Sequence, residues 1–264
     1  MSLTGKTVFI TGASGGIGES TAYAFAAEGA RLLLCARRKE KVDAVAEQAL
    51  AKGAPAVHTF ALDVQDKAAV AASIAALPAD WASIDVLVNN AGLSRGLDKV
   101  YEGHIEDWEE MIDTNVKGLL YVTRAVVPGM VKRGTGHIVN LGSTAGELTY
   151  PNGAVYCAPT AAEKSINDGL RQDLLGTPLR VTSIDPGMVE TDFSKVRFRG
   201  DDARAAKVYQ GVIPLTPDDV ADAIVWAASR PAHVNIAHVL MTSVSQANSL
   251  MFHREAAGTT GNSR

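Results

Sequence analysis

The stretch TVFITGASGGIGESTAYAFAAEGA, residues 7–30, sets glycines 12, 15, 16 and 18 between a short β-branched run and a long helix-like one. A strand that turns through glycine into a helix leaves the first amides of the helix unpaired and open to an anion, and this junction is where a dinucleotide pyrophosphate sits in doubly wound folds. Gly12 permits the tight turn, Gly16 lets the backbone approach phosphate oxygens, and Gly18 lets the helix pack on the strand. The spacing is Gly-x-x-x-Gly-x-Gly, so the flanking strand and helix carry the assignment more than the motif alone.

The rest of the chain repeats that alternation. Short apolar runs at 7–11, 31–35, 57–62, 84–90, 137–142, 180–185 and 238–242 read as strands. Helix-like segments at 16–29, 39–52, 66–77, 106–133, 154–175 and 216–229 separate them. Strand–helix alternation means parallel strands joined by right-handed crossovers, so the expected fold is a single-domain α/β doubly wound parallel sheet of about seven strands with helices on both faces. The domain is expected over 1–253, with a polar C-terminal tail from 254 to 264 that should fray. Residues 192–212, polar and rich in Arg and Gly, fit neither pattern and suggest a flap over a site.

At 264 residues and 47% hydrophobic content the chain can bury a large core. A net charge of −4 offers no basic field for nucleic acid, which leaves small molecules or further copies of the chain as partners. The apolar runs fall short of a membrane span and the N-terminus lacks a signal-peptide core, so a cytoplasmic location is expected. Cys35 and Cys157 lie on different expected elements and read as small buried hydrophobes. None of the six histidines falls at metal-ligand spacing, and no metal is expected.

The strand ends carry the candidate chemistry. After the second strand, Arg37 and Arg38 stand where an acid would hold a free ribose 2′-hydroxyl; a guanidinium fork suits a 2′-phosphate, so NADP is favoured over NAD. Asp63, after the third strand, can accept from an adenine amino group, and the amides of NNAG after the fourth can serve as ligands or loop braces. Ser143 ends the fifth strand, and Tyr156 enters thirteen residues later on the next helix. Two hydroxyls converging on a nicotinamide can bind and protonate a carbonyl oxygen as hydride reaches its carbon.

TGASGGIG, LDV, NNAG, DTNVKG, Ser143, Tyr156 and DPGMVETDF follow one another in an order and spacing that resembles the short-chain dehydrogenase/reductase family over nearly the whole chain. The resemblance implies a Rossmann-type fold and an oxidoreductase. Ser143 would orient the substrate carbonyl, Tyr156 would act as acid or base, and Asn115 would hold a proton-relaying water. Ser14, Ile17, Val64, Asn90, Ala91 and Gly92 would join the glycines around the cofactor. Pro186, Gly187, Val189 and Thr191 would meet its nicotinamide end.

The departure is Thr160, where the family places a lysine that lowers the phenol pKa and bonds the ribose. Lys164, eight residues past Tyr156, is about 12 Å along the helix and is not expected to substitute, with Pro159 between them. Slowed alcohol oxidation is the expected consequence. The alternative is a non-catalytic NADP(H)-binding protein, a redox sensor or assembly partner on the same fold.

VETDFSKVRFRGDDARAAKVYQ and RPAHVNI resemble, more narrowly, the NADP-dependent 3-hydroxy acid dehydrogenases. That likeness implies a short 3-hydroxy acid such as serine, with Arg197 or Arg199 neutralising its carboxylate, and a homotetramer or homodimer built on the fourth and fifth helices.

Overall fold

A computed structural model describes residues 1–255. The seven apolar runs are strands of one sheet, β1 Thr7–Thr11, β2 Arg31–Ala36, β3 Val57–Ala61, β4 Val86–Asn89, β5 His137–Leu141, β6 Arg180–Pro186 and β7 His238–Met241. Every pairing is parallel, in the order β3-β2-β1-β4-β5-β6-β7. The order reverses between β1 and β4, which opens a crevice at the carboxyl ends of those strands.

Side chains alternate across the sheet and so build two cores. Val8, Ile10, Leu32 and Leu34 face one side, where Phe25 of helix α1 (Gly16–Ala27), Val42 and Val45 of α2 (Lys39–Ala51), and Val220 and Ile224 of α9 (Pro217–Ala228) cover them. Phe9, Leu33, Leu87 and Ile138 face the other, beneath Val70 of α3 (Lys67–Ala75) and Val122, Val126 and Met130 of α5 (Leu119–Arg133). Covering on both faces explains why β1 and β6 are buried along their whole length. The helix ends obey local chemistry. Asp66 accepts from the amides of Ala68 and Ala69 at the start of α3, Thr216 and Asp219 form a reciprocal cap on α9, and α5 stops at left-handed Gly134.

Two segments differ from the sequence-based expectation. The single helix expected over 106–133 is three pieces: α4 (Ile105–Ile112), a π-helical stretch Asp113–Gly118, and α5. Within the wide turn the Asn115 amide reaches sideways to the main chain of Leu93, and Gly118 admits Val64, whose Cγ2 lies 2.6 Å from where a Cβ would stand. Residues 192–212 contain two short helices, α7 (Phe193–Arg197) and α8 (Asp202–Tyr209). Of the expected tail, residues 256–264 lie outside the described residues, while the Arg254 guanidinium donates to the carbonyls of Val208 and Gln210. No helix among the described residues is long and apolar enough to cross a membrane.

Candidate active site

A cavity of about 360 Å³ runs along the carboxyl ends of the strands across the β1/β4 reversal. Gly12, Ser14, Gly16 and Ile17 form its middle; Arg37, Arg38, Asp63 and Val64 one end; Asn90, Ala91, Gly92, Asn115, Ser143, Tyr156, Pro186, Gly187, Val189 and Thr191 the other. Of the cofactor-binding and catalytic residues singled out in the sequence, Gly18 alone stays off the wall; of the two candidate carboxylate partners neither lines this cavity, and Arg197 borders a smaller one beside Tyr156. Gly18 lies beneath, where a Cβ would come within 2.5 Å of the Gly12 carbonyl and the Asn90 amide.

The glycine turn is fixed from behind. Gly12 has φ of 67° and passes so near Ala91 that a Cβ would lie 2.9 Å from its Cα. Asn90 donates from its side-chain amide to the carbonyls of Thr11 and Gly12, at 2.9 and 3.2 Å, and thereby braces the turn. Thr11 Oγ1 accepts from the amides of Asn90 and Ala91, tying the end of β1 to the end of β4. No side chain caps α1, so its first amides face the cavity without a competing acceptor from a cap. An anion fits there.

At the end near β2, Arg37 and Arg38 are exposed, and Arg38 reaches Ser14 Oγ at 3.5 Å. Arg37 lies 3.8 Å from Glu110, whose carboxylate is already held by Arg95 at 2.6 and 2.9 Å. Lys41, in the first turn of α2, lines the same end and adds a third cation. It escapes sequence reading because a lysine opening a helix looks like any solvated charge; its place three residues after Arg38 was the available signal. Asp63 accepts from the Gln65 amide at 3.0 Å through one oxygen.

At the opposite end, Ser143 Oγ accepts from the Ala145 amide at 3.1 Å, which fixes the hydroxyl at the mouth of β5. Tyr156 opens helix α6 (Ala154–Asp173), and its ring packs edge-on against Phe193 of α7. The Arg197 guanidinium lies 5.2 Å from the Tyr156 ring centre and donates to Tyr150 Oη at 2.6 Å. Burial, with Tyr150 alongside, pushes the Tyr156 phenol up to about 12, against the opposing pull of Arg197 and of the Ser143 hydroxyl. Asn115 accepts from the Leu93 amide and donates to the Leu93 carbonyl, at 2.9 and 2.8 Å, so its side chain braces the loop after β4. Arg199 points elsewhere, paired with the buried carboxylate of Asp107.

Thr160 lies on the cavity wall, yet its hydroxyl turns back to donate to the carbonyls of Cys157 and Tyr156, at 2.9 and 3.2 Å. Lys164 is bound to Glu147 away from the phenol. One turn past Thr160, Glu163 also lines the cavity, buried against β6. Cys35 and Cys157 are free and buried, with both thiols pushed up by burial. Although sequence spacing showed no metal pattern, folding brings His238 together with Asp185 and Glu147, their ligand atoms within 4.8 Å of one another. Those atoms are occupied with Ser183, Lys164 and each other.

The family model for short chain dehydrogenases matches residues 6–202, three quarters of the chain. The chain belongs to the short-chain dehydrogenase family. Two curated members are similar to it. The NADP-dependent 3-hydroxy acid dehydrogenase of Salmonella typhi is 49% identical over 240 residues, covering 90% of this chain and 95% of that protein. The serine 3-dehydrogenase of Agrobacterium fabrum is 41% identical over 240 residues, covering 91% and 94%. Among solved members of the family, the closed form of a serine dehydrogenase complexed with NADP+ superposes with a TM-score of 0.88 at 45% identity, over 94% of this chain and all of that one. This short-chain dehydrogenase presents Ser143, Tyr156 and Thr160 together on the wall of the cavity.

Proposed function

We propose that this protein is an NADP-dependent oxidoreductase that moves a hydride between nicotinamide and a short hydroxy acid or the matching carbonyl compound. The observation that carries the reading is one continuous cavity with three cations at one end, uncapped helix amides in the middle and two hydroxyls at the other. Arg37, Arg38 and Lys41 would hold the 2′-phosphate, Gly12 to Gly18 the diphosphate, and Pro186, Gly187, Val189 and Thr191 the nicotinamide end. The bound dinucleotide supplies or accepts the hydride. Ser143 would orient the substrate oxygen while Tyr156 gives or takes its proton, and Asn115 would steady a relay water with its remaining lone pair. The names of the relatives, 3-hydroxy acid and serine dehydrogenases, support the substrate class. Arg197 is the better carboxylate partner than Arg199, since its guanidinium faces Tyr156 while Arg199 is engaged by Asp107.

The same reading makes the chain a homotetramer or homodimer in contact through α4, α5 and α6, where Ile112, Leu120 and Val131 are exposed, and places it in the cytoplasm. A second reading, a non-catalytic NADP(H)-binding protein serving as a redox sensor or assembly partner, draws support from Thr160 and Pro159 and from the phenol pushed up to about 12.

Fluorescence titration separates the coenzymes: NADPH should bind at least about tenfold more tightly than NADH, and Arg38→Leu should erase most of the difference. Equal affinities would remove the argument from the arginines. A panel of serine, allo-threonine and 3-hydroxyisobutyrate with NADP+, and of the matching carbonyl compounds with NADPH, then tests turnover; coenzyme binding without turnover in either direction favours the second reading.

A further inference from the structure

Two buried carboxyl groups lie under the reacting end of the cavity and take no part in the steps above. Glu163 projects from α6 and lines the cavity; Asp185 sits on β6, and each is no more than 2% exposed. The two close in on Gly142, where a Cβ would lie 2.5 Å from Glu163 Oε2 and nearer still to Asp185. Any side chain there would drive the pair apart. The Ser183 hydroxyl bridges them, 3.3 Å from both Glu163 oxygens and hydrogen-bonded to Asp185. Beyond Asp185 the line continues outward: His238 Nε2 lies 2.9 Å from Asp185 Oδ2, and the imidazole is 36% exposed at the edge strand β7.

We propose that Glu163, Ser183, Asp185 and His238 form a proton conduit from the reaction cavity to the surface beside β7, in a chain whose cavity presents threonine where the family carries a lysine. The proposal rests on the oxidoreductase reading, and its balance is simple. Oxidising an alcohol sends the hydride to nicotinamide and the hydroxyl proton to Tyr156, and that proton must leave before the next turnover. In the conduit Glu163 takes a proton from cavity water on one oxygen and yields its own to Ser183; Ser183 passes one to Asp185, Asp185 to His238 Nε2, and the imidazole releases one to solvent from its other nitrogen. One proton enters and one leaves, and reduction runs the line backwards. Seven residues, about 10 Å of helix, separate Tyr156 from Glu163, so cavity water bridges them.

The charges around Glu163 support this traffic. Burial and the neighbouring Asp185 push its carboxyl up to about 8, with Asp168 adding and Ser183 and Lys164 opposing. Asp185 is raised by burial and by Glu147, against Ser183 and His238. A proton held at neutral pH and released near pH 8 can travel either way.

Two measurements test the conduit. Infrared titration of the protein alone should show a protonated carboxyl that ionises near pH 8 and is missing from Glu163→Gln; ionisation complete by about pH 6 would overturn the proposal. During a single round of serine oxidation, NADPH formation is followed by absorbance and proton release by an indicator dye. The two should coincide in the unmodified chain, whereas in His238→Gln, a change at a partly exposed residue, release should lag at least about threefold behind NADPH formation. In Glu163→Gln the inflection of the oxidation rate near pH 8 should vanish, leaving only the steady rise set by ionisation of the Tyr156 phenol. Coincident release in His238→Gln, or an unchanged pH profile in Glu163→Gln, sinks the conduit. The infrared readout needs no coenzyme, so a chain that failed to bind NADPH would count against the oxidoreductase reading while the titration still answered for Glu163.

Discussion

Thr160 commits its hydroxyl to two backbone carbonyls of its own helix, so it offers the phenol of Tyr156 neither charge nor a directed hydrogen bond. With the phenol pushed up to about 12, only about one molecule in 10⁵ carries a phenolate at neutral pH. On the proposed mechanism oxidation, which needs a base, would suffer more than reduction, for which a neutral phenol already holds the proton. Thr160→Lys, alone or with Pro159→Thr, should therefore raise the oxidation rate at neutral pH by at least about tenfold and leave reduction less changed. The new ammonium would also stand one turn from Glu163, holding that carboxyl charged and moving its ionisation below pH 8. Initial rates of serine oxidation and of the reverse reaction, compared across pH, read both effects; equal gains in the two directions would show that ribose placement, and not phenol ionisation, is what the lysine restores.

The elements that escaped the sequence are those whose shape is set by distant contacts. Helices α1 and α9 announce themselves through glycine turn, capping residues and apolar spacing, all local. The segment 192–212 has no such period because α7 and α8 are only five and eight residues long and are held from outside. Arg197 Nε donates to the Gly96 carbonyl at 3.0 Å, Gly96 N donates to the Arg197 carbonyl at 3.0 Å, and Tyr209 Oη links Ser194 to the Val189 carbonyl. The break in the expected helix 106–133 has the same origin, since Asn115 bonds a loop 22 residues away. α7 brings Phe193 and Arg197 against Tyr156, at the end of the cavity away from Arg37 and Arg38. Arg197→Met keeps the length of the side chain and removes the fork, so KM for serine should rise at least about tenfold while NADPH affinity changes little. A KM that stays put, with kcat lowered instead, would assign Arg197 to the phenol and not to the carboxylate.

Across the whole molecule, the sheet, its crevice and the larger part of the cavity wall were legible because the ends of β1 to β6 each carry a short motif, whereas Lys41, Glu163 and the apolar residues between the motifs were not. The line from Glu163 to His238 was not, since its members come from α6, β6 and β7 and meet only after the crossovers close. That buried line should leave a mark on stability. Glu163 has a folded value of about 8 against an ordinary 4.5, so the unfolded chain sheds its proton first. Stability from this group is complete below about pH 4.5 and is lost as pH rises toward 8, by at most roughly 5 kcal/mol and by less where Asp185 shares the proton. His137 works from the other side. Burial drives its imidazole down from 6.5 to about 3, so stability falls as pH drops through that window and the unfolded chain takes up a proton the folded one refuses. Maximum stability should thus lie in mildly acidic solution between the two. Glu163→Gln should raise the melting temperature near pH 9 more than near pH 5, and His137→Leu should raise it near pH 4 relative to pH 7, with Thr182 still donating its hydroxyl proton to the Ile236 carbonyl. Scanning calorimetry at those pH values decides the matter: shifts that do not depend on pH would mean that Glu163 and His137 ionise in the fold as they do in the unfolded chain.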